Sequence, residues 1–307
     1  MFYDAGMKSA GPGRLIRMRV KRLEKFITRL KRMPAVRNSH LCVGLDSDYT
    51  RIPDFIKKGR TVQDALFSFN RMIIEETWDL AVAYKINVSF YSLHGDAGLS
   101  ALARTNRYVR ERVPETPILA DVKRSEIGSA VRMVAVELFD RLGFDGVMVT
   151  PWFGVDTLKD FLVDDTKGVV VYVHDSNPSA VEIQDLLLAD GRRVYEVVAE
   201  KVAGEWNLNG NVFAEGGATY PEALRKIRRI VGDEMPLLVA GVGPQGGTLS
   251  ALDGLFGNGG RRLLVNSSRG VIFAGVAEND ADYRRSVRSA AQTLRERLLA
   301  MAGGIGK

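Results

Sequence analysis

The sequence predicts an α/β protein, a (β/α)8 TIM barrel forming a single domain with an extra N-terminal helix. Three observations lead there. Eight short apolar runs recur from residue 41 onward, helix-patterned stretches separate them, and no segment rich in Pro, Gly or Ser divides the chain. Strands that alternate with helices pair in parallel through right-handed crossovers. Runs that are continuously apolar, rather than alternating, suit a sheet covered on both faces. Eight such units in about 250 residues match a closed barrel. An open doubly wound sheet is the rival, but no GxGxxG follows the first run, which weakens a dinucleotide-binding reading.

In chain order, the run 41–45 (LCVGL) is followed by a helix over 62–77, and 80–86 by a helix over 98–112. The run 117–120 leads into a helix over 125–142, and 146–149 into a short one over 157–162. The run 168–173 (GVVVYV) precedes a long helix over 184–206, and 211–214 precedes 221–231. The run 236–240 leads to 248–255, and 263–265 to a final helix over 280–301. The glycines at 257–260 read as a loop within the domain.

Composition narrows the function classes. The apolar fraction of 46% and charged fraction of 26% describe an ordinary globular chain. No apolar run approaches the roughly 20 residues of a membrane span, so no membrane partner is expected. Cys42 is the only cysteine, which excludes an intramolecular disulfide and a cysteine-based zinc site, and a reducing, cytoplasmic setting fits. The net charge is +6, but residues 1–38 carry eleven Lys/Arg against Asp4 and Glu24, leaving 32 bases and 35 acids elsewhere. The body is therefore no basic nucleic-acid-binding domain. Residues 1–18 read as a flexible basic extension and 19–307 as the barrel domain, with Leu23, Phe26, Ile27 and Leu30 forming one apolar helix face. A polyanion or membrane-surface tether and an organelle transit peptide are the competing readings of the basic segment. It lacks the continuous apolar stretch of a secretory signal.

Barrel chemistry sits at the C-terminal ends of the strands. The first run ends in Asp46, the second in Lys85 and Asn87, and the third in Asp121, Lys123 and Glu126. The fourth runs into Thr150, and the fifth into Asp175, Ser176 and Asn177. The seventh ends in a glycine-rich turn containing Gly243 and Gln245, and the eighth in NSSRG with Arg269. Glycines let backbone N–H groups approach an anion, and a guanidinium fork suits phosphate. The last two ends thus read either as a phosphate site or as a tight turn before a helix. Lys85, Asp121, Lys123 and Glu126 form an alternating charge array in which each sign supports the other's ionisation. The array reads equally as a structural ion-pair network at the rim. His40, His94 and His174 show no metal-ligand spacing, and no metal site is implied.

The motifs LCVGLDSD (41–48), YKINVSFY (84–91), ADVKRSEIGSA (120–130), VTPWFGVDTL (149–158), DSNPSAVEIQDL (175–186), GATYPEALRKIR (217–228), AGVGPQGG (240–247) and VNSSRGVIFAG (265–275) occur in order. Together they resemble the orotidine 5′-phosphate decarboxylase family in its longer bacterial form, over residues from about 20 to 300. The resemblance implies a cofactor-free homodimeric barrel that converts orotidine 5′-monophosphate (OMP) to UMP and CO2, the last step of de novo UMP synthesis. It implies that Asp46 and Lys85 meet the ribose hydroxyls, that Asp121 crowds the substrate carboxylate, and that Lys123 protonates C6. Ser176 and Asn177 would meet the pyrimidine edge, and Gly243, Gln245 and Arg269 the phosphate. Glu126 stands where the family has a second aspartate that reaches into the partner's site. The glutamate is one departure, and Ala130, Asp175 and Ser92 are others, at positions where Thr, Thr and Glu are usual. Loops 174–190 and 243–248 are candidate lids. Two alternatives remain: a Mg²⁺-dependent sugar-phosphate lyase on the same barrel, and a diverged, non-catalytic UMP-binding relative.

Overall fold

A computed structural model describes residues 24–243, 245–275 and 277–303. The basic segment 1–18 lies outside the described residues. Eight parallel strands close in sequence order, β1 (Leu41–Gly44), β2 (Ala83–Asn87), β3 (Ile118–Asp121), β4 (Gly146–Val149), β5 (Gly168–His174), β6 (Val212–Gly217), β7 (Leu237–Ala240) and β8 (Leu263–Ser267), with β8 pairing back on β1. The helices include α1 (Phe26–Arg37), α2 (Val62–Thr77), α3 (Gly95–Arg112), α4 (Ser129–Ala135), α5 (Lys159–Leu162), α6 (Val194–Ala203), α7 (Pro221–Val231) and α8 (Asp280–Met301), with further one-turn helices between them. The strands are buried almost throughout, as continuous apolar runs require of a sheet covered by helices. Among the described residues no helix is long and apolar enough to cross a membrane.

Local chemistry sets the helix ends. Thr61 caps α2 by accepting the Asp64 N–H at 3.2 Å, and Asn279 caps α8 through the Asp282 N–H at 3.0 Å. Several expected helices are shorter. Residues 122–128 form a loop rather than the start of a helix, because Lys123 and Gly128 take positive φ of 48° and 58°. The expected 184–206 helix is split: Asp190 and Gly191 turn the chain, a bridge joins Leu187 to Arg193, and only then does α6 begin. After β7 only a single short turn forms, over Leu249–Leu252.

The extra helix closes the barrel floor. Phe26 is fully buried and stacks on Phe213 at 6.1 Å, and its N–H donates to the Asp165 carbonyl. A Cβ on Gly168 would lie 2.2 Å from the Phe26 ring, so the first residue of β5 must be glycine to admit it. Phe26→Ala is expected to cost about 3–5 kcal/mol by the cavity it leaves, read as a lower urea midpoint at unchanged slope. A change below about 1 kcal/mol would mean that the floor is closed without the ring.

Candidate active site

Parallel register brings the strand ends to one rim. Gly44 pairs with Lys85, Asn87 with Asp121, and Tyr172 with Glu215. Their inward side chains surround a cavity of about 630 Å³. On one side runs a chain of alternating charge. Lys85 Nζ lies 3.2 Å from Asp46 Oδ1 and 2.7 Å from Asp121 Oδ2, and Lys123 Nζ lies 2.6 Å from Asp121 Oδ1. Lys85 and Asp121 are each 4% exposed.

Burial alone would push the Asp121 carboxyl up, but the Lys85 and Lys123 ammonium groups outweigh it and hold it well below the usual carboxylate range. Burial likewise works against the Lys85 ammonium, and Asp46 and Asp121 reverse that, holding it above the ordinary lysine value. Lys85 and Asp121 are thus held in their charged forms. Behind Asp46, a buried network holds the loop: Tyr91 donates to the Leu45 carbonyl at 2.9 Å, Asn70 donates to Tyr91 at 2.9 Å, and Ser47 donates to Asn70 at 2.6 Å.

The opposite wall carries the glycine-rich turn and the ends of β5 and β8. Gly241 has φ +85°, and a Cβ there would meet Ser176 Cβ at 2.8 Å, so the loop after β5 can lie against β7 only because residue 241 is glycine. Thr219 Oγ1 donates to the Ser176 carbonyl and Tyr220 Oη to that of Asn177, anchoring the two residues at the cavity edge. Gln245 and Arg269 also line the cavity. Arg269 has no ion-pair partner among the described residues.

Of the residues singled out in the sequence, Asp46, Lys85, Asp121, Lys123, Ser176, Asn177, Gln245 and Arg269 share this cavity. Two do not line it. Gly243 is exposed, and its N–H and carbonyl hold the turn closed against Gly247 and Gly246. Glu126 sits half-exposed on the 122–128 loop, 3.5 Å from Arg124 Nε. Asp175, one of the departures, lines the cavity and is tied to Gln184, which donates to its carboxylate at 3.0 Å.

Sequence reasoning missed several cavity residues, among them Arg51, Tyr172 and Glu215. Arg51, on the turn after β1, lays its guanidinium 4.1 Å from the Phe273 ring centroid. Tyr172 donates to Asp121 Oδ1 at 2.6 Å, sharing that oxygen with Lys123. Glu215 on β6 is 2% exposed. Inward-outward alternation back from Gly217 would have found Glu215, whereas the register shift between Tyr172 and His174 breaks that pattern for Tyr172.

A polar cavity at the C-terminal mouth of a closed (β/α)8 barrel is where barrel enzymes carry out their reactions, and this chain falls in that class. Comparison with known proteins narrows it further. The family model described as orotidine 5′-phosphate decarboxylase / HUMPS matches residues 39–282, and the chain belongs to that family. It is 37% identical to the orotidine 5′-phosphate decarboxylase of Cellvibrio japonicus, over 89% of this chain and 97% of the relative. It is 41% identical to that of Roseiflexus castenholzii, over 85% and 93%. The solved structure of Leishmania donovani OMP decarboxylase superposes with a TM-score of 0.77 at 31% identity, covering 92% of this chain and all of the other.

Proposed function

We propose that the protein decarboxylates OMP to UMP and CO2 as a homodimer in the cytoplasm, with its own side chains supplying the chemistry. The observation that carries this reading is the Asp46–Lys85–Asp121–Lys123 chain of charges, set in the same cavity as Gln245 and Arg269, which has no ion-pair partner among the described residues. Arg269 and Gln245 bind the substrate phosphate, with Arg51 contributing positive charge nearby. Asp46 and Lys85 meet the ribose hydroxyls, and Ser176 and Asn177 meet the pyrimidine edge.

The substrate carboxylate then lies against Asp121, whose ionised state is enforced by its two lysines. The bond from C6 to the carboxylate breaks, CO2 leaves, and the electron pair remains on C6. Lys123 Nζ delivers its proton to C6 and is reprotonated from solvent. Negative charge moves from beside Asp121 to beside Lys123, so the array stabilises the transition state more than the bound substrate. Phosphate binding far from C6 contributes the free energy that holds the ring in place.

Ile127, Met133, Trp152 and Phe153 are exposed on and near the loops that follow β3 and β4, and Ser125 donates to the Thr150 carbonyl to join those loops. This apolar surface beside the cavity supports a dimer in which Glu126 faces the partner's site.

The test is the loss of OMP absorbance on adding purified protein with EDTA present, with the oligomeric state read by light scattering. Turnover by a dimer is expected. Turnover abolished by EDTA would favour the Mg²⁺-dependent lyase, and UMP binding without turnover would favour a non-catalytic relative.

A further inference from the structure

The reaction proposed above gives no role to the cavity side chain Glu215. Glu215 points inward from β6 and is 2% exposed, and its Oε2 is buried with no hydrogen-bond partner among the described residues. Its ladder partner Tyr172 cannot supply one, because that hydroxyl is donated to Asp121. Lys123 and Lys85 are also engaged with Asp121, and Lys85 with Asp46. A buried carboxyl left unmatched by its own protein costs stability, and here it lies on the wall of an open cavity.

We propose that Glu215 is a specificity-determining residue: held as a neutral carboxylic acid, it donates a hydrogen bond to an acceptor oxygen borne by the substrate's reacting carbon. This rests on the decarboxylase reading, in which that oxygen belongs to the carboxylate on C6. Three features support it. Burial pushes the Glu215 carboxyl well above its ordinary value, Asp175 and Asp121 push it further, and Lys123 and Lys85 oppose this without reversing it. Tyr172, its titratable ladder partner on the adjoining strand, is itself held protonated by burial and by the Asp121 carboxylate. A protonated acid is the form that can donate to a carboxylate, and such charge-assisted bonds are the stronger kind. An ionised Glu215 would instead set a third carboxylate, beside Asp121 and Asp175, against the substrate's own. Binding of a ligand with a C6 acceptor is therefore coupled to the proton on Glu215, whereas binding of UMP, which has only hydrogen there, is not.

The test compares dissociation constants of UMP and 6-carboxamido-UMP, which bears an acceptor oxygen but no carboxylate to lose. The wild type, Glu215→Val and Glu215→Gln are titrated from neutral to alkaline pH. Glu215→Val is expected to weaken 6-carboxamido-UMP by about tenfold, the loss of one hydrogen bond, while UMP changes by less than about threefold. Glu215→Gln keeps a donor and retains the affinity at neutral pH, but lacks the alkaline fall that the wild type shows for this ligand. Infrared difference spectra provide a second readout: the carbonyl stretch of a protonated acid, absent from Glu215→Gln, should shift when 6-carboxamido-UMP is added. Equal binding of that ligand by wild type and Glu215→Val, or an unshifted carbonyl band, would overturn the proposal. Failure of the wild type to bind either nucleotide would overturn it differently, by removing the nucleotide reading on which it rests.

Discussion

Lys123→Ala is expected to lower kcat for OMP by at least about 10³-fold while UMP still binds. Lys123 is the half-exposed end of the charge array, with its ammonium 2.6 Å from Asp121 and 4.8 Å from the Tyr172 ring centroid. It is the member of the array free to move toward a ligand carbon. Its removal takes away the proton donor, worth about 10²–10⁴ in rate, and the positive charge beside the developing carbanion. Lys85 and Tyr172 remain on Asp121, so the array is shortened without being stranded. The measurements are steady-state decarboxylation and UMP titration calorimetry. A near-wild-type rate would assign the proton to another group.

Lys85→Met is expected to have the largest effect on the fold. The lysine is buried between Asp46 and Asp121, and its loss leaves a buried carboxylate partly uncompensated, a change that costs about 3–5 kcal/mol. The pH dependence has a definite sign. The Asp121 carboxyl is depressed in the folded protein, so the stability it contributes is complete above the unfolded carboxyl value of about 4. That contribution is lost as pH falls through the lower, folded value. In Lys85→Met the burial penalty meets less opposition, the carboxyl rises, and acid unfolding begins at higher pH. Urea midpoints measured between about pH 3 and 7 test this. Parallel wild-type and variant curves across that range would show that Lys85 does not set the charge on Asp121.

The architecture was legible where packing follows local pattern. The strand at Gly146–Val149 and the helices at 62–77, 221–231 and 280–301 agree residue for residue with the structure. The reading was wrong where backbone conformation overrode side-chain pattern, as at Gly128, whose positive φ delays to Ser129 a helix expected from residue 125. The site was half legible. Lys85 and Asp121 stand out as charges at the ends of apolar runs, and a strand-end reading finds them. Tyr172 is hidden among valines and reads as core. Glu215 interrupts an apolar run, so the expected strand stops at residue 214 and the glutamate passes for loop, although β6 continues to Gly217. Arg51 lies beyond the strand end, and its place at the cavity depends on tertiary packing against Phe273. Glu126, counted in the charge array from its strand-end position, does not line the cavity and lies beside Arg124 instead.

The floor helix also fixes how the molecule can be attached to other things. Phe26 plugs the barrel against Gly146 and Gly168, the first residues of β4 and β5, whereas the cavity opens where the strands finish. The polypeptide therefore enters the described structure at the pole opposite the mouth. An immobilising support or a fused domain joined directly at residue 24 starts on the side of the barrel away from the cavity.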